Sequence, residues 1–130
     1  MNTRIVTIPH RAHRYETVGD WFKDADGFDM IEVSAMSDPR YELLVVFHEF
    51  IESELCKQRG ISEARVTAFD KKFEKERAKF LHSADTEPGN DPRAPYRKEH
   101  FTAETMERLL AVELGVDWAK YCKTVEGTHV

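Results

Sequence analysis

A chain of 130 residues with 41% hydrophobic and 33% charged side chains has the make-up of a folded domain, which excludes a disordered tail and a membrane-embedded segment. Its formal net charge of −5 leaves no electrostatic footprint for nucleic acid despite locally basic stretches at 10–14 and 93–98, so nucleic acid is not expected as the main partner. The longest apolar run, Leu43 to Phe47, is too short to span a bilayer, and the N-terminus has no basic region leading into an apolar core; one cytoplasmic domain over 1–130 is expected.

Residues Thr3 to Ile8 alternate Arg4, Val6 and Ile8 against Ile5 and Thr7, which predicts a short strand ended by Pro9. His10 and His13 have a spacing that could hold a metal, but no third ligand lies nearby, and surface histidines in a basic loop are the expectation. From Val18 to Ser34 the pattern predicts a hairpin, with Asp20–Lys23 and Phe28–Ser34 joined by Asp24-Ala25-Asp26-Gly27. Asp-x-Asp-Gly also fits the start of a calcium loop, yet the later ligand positions are missing and a turn that uses Gly27 for positive φ explains the same residues.

Asp38 then reads as an N-cap with Pro39 in the first helical position, and a helix is predicted from Arg40 to Gln58, closed by Gly60. Ser62 caps a second helix, Glu63 to His82, with the apolar stripe Val66, Phe69, Phe73, Phe80 and Leu81 and with Asp70 set into it. Between His82 and Arg97 there is no periodicity; a loop of this length is either a functional lid or a surface excursion. A third helix is predicted from Lys98 or Thr102 to Leu114, packing Ala103, Met106, Leu110 and Leu114, and Asp117 caps a last short helix through Tyr121 and Val125. The expected architecture is α+β, a short N-terminal strand and a β-hairpin on three main helices plus a short C-terminal one. Cys56 and Cys122 lack CxxC spacing and are expected to be reduced, buried thiols.

Chemistry concentrates on the first helix. On a helical wheel His48 and Glu52 fall within the arc of Leu44, Val45, Ile51 and Leu55, while Glu49 falls at its edge, where a carboxylate could meet water. Imidazole and carboxylate one turn apart suit zinc or a related divalent metal, because unpaired burial of both would be costly. The plainer alternative is a core histidine hydrogen-bonded to an acid. His100 with Glu104 repeats the spacing on the third helix and Asp70 with Glu74 on the second; Glu74, Glu104 and Glu107 read as solvated faces. His100 is the expected third ligand, with Asp70 in reserve.

The stretch 28–56, a strand leading shortly into an apolar helix that bears His48-Glu49-Phe50-Ile51-Glu52, resembles the core of zincin-type metalloproteases. Their HExxH helix binds zinc through two histidines, and the glutamate after the first is the general base. The resemblance implies His48 as a zinc ligand, Glu49 as the base and a metal-dependent hydrolase. Glu52 stands where that family carries its second histidine, which changes the charge of the site. Glu49-x-x-Glu52 is also similar to the first acidic pair of MazG-type nucleotide pyrophosphohydrolases, which would imply magnesium, although Asp70-x-x-x-Glu74 has a different spacing from that family's second pair. A third alternative is a non-catalytic binding or inhibitor module in which His48 and Glu52 only tie helices together.

Overall fold

The computed structural model describes residues 1–128 and has an α+β fold. Strands β1 (Thr3–Ile8), β2 (Gly19–Lys23) and β3 (Asp29–Ser34) precede helices α1 (Pro39–Gln58), α2 (Glu63–Ala78), α3 (Arg97–Glu113) and α4 (Trp118–Thr128). The sheet runs β1-β3-β2: the hairpin β2–β3 is antiparallel, and β1 joins β3 in parallel, with Thr3 opposite Asp29 and Ile8 opposite Ser34. At the hairpin tip, Asp24 Oδ1 accepts from the backbone N–H groups of Asp26 and Phe28, and Gly27 takes φ +85°, so these residues close a turn.

Helix α1 starts where Asp38 accepts from the Arg40 N–H and Pro39 supplies a preset φ. It packs on β2 and β3 on one side and on α3 on the other. Its buried positions, Leu44, Val45, His48, Glu52, Ser53 and Cys56, recur at helical spacing. Leu44 and Cys56 join Trp21, Ile31 and Val33 from the sheet in the core, so the helix that carries the polar groups is also the one most tied down by apolar burial. Cys56 is buried, Cys122 is half-buried, and both are free thiols.

Helix α2 ends earlier than its apolar pattern suggests. The N–H of Leu81 bonds to the carbonyl of Glu76 and that of Phe80 to Arg77, a Schellman closure with Phe80 in the left-handed position at φ +61°. Phe80 and Leu81 therefore leave the stripe and stand 94% and 65% exposed. A non-glycine residue there carries conformational strain, and the ring buries nothing in return. Phe80→Gly is expected to raise stability by about 0.5–1 kcal/mol, read as a shift in the urea midpoint at unchanged slope.

The connection from α2 to α3 is ordered despite its lack of periodicity. Arg77 donates to the carbonyls of Ser83, Ala84 and Thr86, and Arg93 bridges Asp91 and Glu76. A single 3-10 turn, Pro88–Asn90, sits in its middle. Helix α3 buries Glu99, His100, Ala103, Glu107 and Ala111, whereas Met106, expected in the core, lies at the surface. His10 and His13 are half-buried rather than on the surface: His10 Nδ1 and His13 Nε2 both bond to Ser34 Oγ, at 2.8 and 3.0 Å. No described helix is long and apolar enough to cross a membrane.

Candidate metal centre

Packing α1 against α3 brings three donor atoms to one point. His48 Nε2 lies 3.1 Å from Glu52 Oε2 and 3.2 Å from His100 Nδ1, and His100 Nδ1 lies 3.1 Å from the same Glu52 oxygen. Donors around a tetrahedral zinc with bonds of about 2.0–2.1 Å are about 3.3 Å apart, so the triangle has close to the edge length of a ligand set. All three residues are buried, and together they form a group that could hold a metal ion.

The far side of each ligand is also anchored. Glu107 Oε1 stands 2.7 Å from His48 Nδ1, and Tyr121 on α4 donates its hydroxyl to Glu107 Oε2 at 2.5 Å. Trp21 on β2 donates its indole N–H to Glu52 Oε1 at 3.2 Å. Glu87 Oε2 lies 2.9 Å from His100 Nε2 as an ion-pair partner, without the alignment of a hydrogen bond. With Nδ1–H of His48 directed at Glu107, Nε2 presents its lone pair; with Nε2–H of His100 held toward Glu87, Nδ1 does the same. Two imidazole lone pairs and a carboxylate oxygen then converge at hydrogen-bond distance, a donor set that could hold a metal ion. This carboxylate–histidine arrangement is the one that orients ligands in metal sites.

Burial works against an imidazolium at His48, yet the bonds to Glu107 and Glu52 outweigh it and raise its pKa well above the ordinary value. His100, likewise opposed by burial, is lifted to about 10 by Glu52 and Glu87. Burial alone would push Glu52 up, and the two histidines instead hold it at about 2. Without a metal, the carboxylates therefore favour protonated imidazoles at His48 and His100.

Glu49 points to a different side of α1. Its side chain lies over the backbone of Gly19 in β2, where a methyl on Gly19 would come within 2.7 Å of Glu49 Cγ and 2.8 Å of Oε1. Burial, reinforced by the Glu52 charge, raises its pKa well above the usual carboxylate range. Glu49, Glu52, His48 and His100 line one cleft together with Asp70, Tyr15 and Tyr96.

Asp70, the reserve ligand, is outside the triangle. Its two oxygens accept from the hydroxyls of Tyr96 and Tyr15, the latter at 3.0 Å, and burial lifts its pKa to about 7. Glu74 pairs with Arg77 at 3.0 Å, and Glu104 takes no part in the cluster. Glu107, read from the sequence as solvated, is only 6% exposed. The face of α3 that turns inward is His100, Ala103, Glu107 and Ala111, and the two alanines flanking an acid two turns after a histidine were the available signal. Glu87, Trp21 and Tyr121 had none, because their roles arise only from the packing of other elements.

The 3-10 turn closes over His100. A methyl built on Gly89 would stand inside the van der Waals radius of the His100 ring, so glycine lets the loop backbone lie on the imidazole. Gly89→Ala is expected to cost about 1–3 kcal/mol by forcing the loop or ring aside, measurable by chemical denaturation. Compared with known protein families, curated proteins and solved structures, the chain matches none.

Proposed function

We propose that the protein is a zinc-dependent hydrolase in which His48 Nε2, Glu52 and His100 Nδ1 hold the metal and Glu49 is the general base. The observation that carries this reading is the triangle of donor atoms at 3.1–3.2 Å, with the outer nitrogen of each histidine facing a carboxylate. Bound zinc supplies Lewis acidity, polarising a carbonyl and acidifying water. Glu49 is suited to accept the proton of an attacking water, because desolvation brings its basicity up from that of an ordinary carboxylate. Glu107 and Glu87 keep the two imidazoles in the tautomer that presents a lone pair, and the Gly89 turn holds His100 in place.

The strand-then-helix segment and the order His48-Glu49 remain similar to zincin-type enzymes, with Glu52 as a carboxylate ligand in place of a histidine. Two imidazoles in the donor set favour zinc over the magnesium that a MazG-type reading needs, and Asp70 and Glu74 are engaged with tyrosines and Arg77. The test is hydrolysis of 4-nitrophenyl acetate by the zinc-loaded protein. Glu49→Gln is expected to keep its zinc and lose about 10²–10⁴-fold in rate. An unchanged rate in that variant would remove Glu49 from the chemistry.

A further inference from the structure

The side of α3 that turns away from His100, Ala103, Glu107 and Ala111 is apolar as well. Phe101, Met106, Leu109 and Val112 stand 68%, 36%, 66% and 74% exposed, and Leu43, one turn before Phe47 on α1, stands 45% exposed. Between the two helices Phe47, Met106, Leu109, Leu110 and Val112 line a groove whose one charged wall is Glu113. None of these residues lines the cleft of the metal centre. A surface helix ordinarily turns charged and polar residues outward. Here about 500 Å² of apolar surface is left uncovered, the size of patch that marks an interaction site. With its charged rim the face approaches the ~800 Å² per partner of a standard interface.

The rim charges fit a second copy of the chain. Lys98 and Glu113 stand near the two ends of α3, and Glu104 and Arg108 stand between them on one border of the apolar strip. Among the described residues none of the four forms an ion pair, and Arg108 rests instead over the Trp118 ring at 4.8 Å. Both pairs of opposite charge, Lys98 with Glu113 and Glu104 with Arg108, are symmetric about Thr105–Met106. We propose that this face is the interface of a symmetric dimer in which α3 packs antiparallel on the α3 of a second copy, with the two-fold axis at Thr105–Met106. Two-fold symmetry then sets Lys98 against the partner's Glu113 and Arg108 against the partner's Glu104, each pair occurring twice. Met106 meets the partner's Met106 at the axis, and Phe101 lies level with the partner's Leu110. A parallel pairing in register would set like charge against like along the whole rim. An anionic membrane would call for a surplus of lysine and arginine around the strip, whereas this rim balances its bases with acids. The dimer stands or falls independently of the metal.

Sedimentation velocity on the full chain over about 1–100 μM is expected to show a monomer–dimer equilibrium in the wild type. Leu109→Asp changes a side chain that one chain leaves mostly exposed, so it should keep the wild-type circular dichroism and weaken association at least about 100-fold. Lys98→Glu should weaken association about 10-fold at low salt, and adding Glu113→Lys to it should bring the affinity back to within about 3-fold of wild type. The two positions are about 22 Å apart along the helix, so this recovery cannot arise within one chain. A wild type that stays monomeric at about 100 μM overturns the dimer. Association untouched by Leu109→Asp, or a double variant no tighter than Lys98→Glu alone, overturns this face and this register. If Leu109→Asp does not fold, the two charge variants, both at exposed positions, decide by themselves.

Discussion

Glu52→Ala is expected to destabilise the protein by about 3–5 kcal/mol, read by urea denaturation in the presence of chelator, because it removes the one anion shared by two buried histidines. The carboxylate accepts from Trp21 through one oxygen and meets His48 Nε2 and His100 Nδ1 through the other. Without it, two imidazole nitrogens 3.2 Å apart face each other with nothing between them, and the buried indole N–H loses its acceptor. The truncation also opens a void between α1, α3 and β2, where Leu44, Trp21 and Ile31 form the core. Glu52→Gln keeps the volume and one acceptor oxygen, so it should recover part of the loss. A cost below about 1 kcal/mol for the alanine variant would mean that the side chain is solvated rather than shared.

The second large effect is a pH dependence centred on Asp70. Its pKa rises from the ordinary 3.8 to about 7, chiefly through burial, which outweighs the stabilising bonds from Tyr96 and Tyr15. A folded-state value above the unfolded one means that Asp70 contributes stability that is fully present below about pH 4 and is lost as pH rises through 7. Between pH 5 and pH 8 the unfolded chain has already released this proton while the folded chain still gives it up, so the Asp70 contribution falls by about 2–3 kcal/mol. Asp70→Asn cannot titrate. The difference in unfolding free energy between wild type and this variant should therefore move in favour of the variant by that amount across the interval. A difference that stays flat would show that Asp70 is ionised at ordinary acidity.

Much of the architecture was legible because its signals are local. Asp38-Pro39 and Ser62 mark helix starts through backbone groups within two or three residues, and Asp24 to Gly27 closes its own turn. The end of α2 was not legible, since the left-handed residue that closes it is Phe80, where glycine is the usual marker. Within the candidate site, the i, i+4 pair His48 and Glu52 could be read from the helix period alone, and His100 stood out as a histidine at the start of the next helix after a long loop. Structure brings these three together and leaves Asp70 with two tyrosines. Glu107 escaped because its partners, His48 and Tyr121, are 59 and 14 residues away in the chain, and nothing local distinguishes a buried acid with such partners from a solvated one. Glu87 and Gly89 escaped for a similar reason, as their importance comes from lying on His100.

The central claim is that the triangle of His48, Glu52 and His100 is a zinc site, and metal binding to protein stripped by chelator tests it most directly. Titration with zinc should reach one equivalent per chain in the wild type and raise the melting temperature, with a stabilisation of about 4 kcal/mol once free zinc exceeds the dissociation constant 1,000-fold. His48→Ala and His100→Ala should each lose that uptake, and Glu107→Gln should keep the stoichiometry with about 10–100-fold weaker affinity. A folded wild type that takes up no zinc, and whose melting temperature is the same in chelator and in excess metal, would contradict the account and leave the cluster as a hydrogen-bonded tie between α1 and α3.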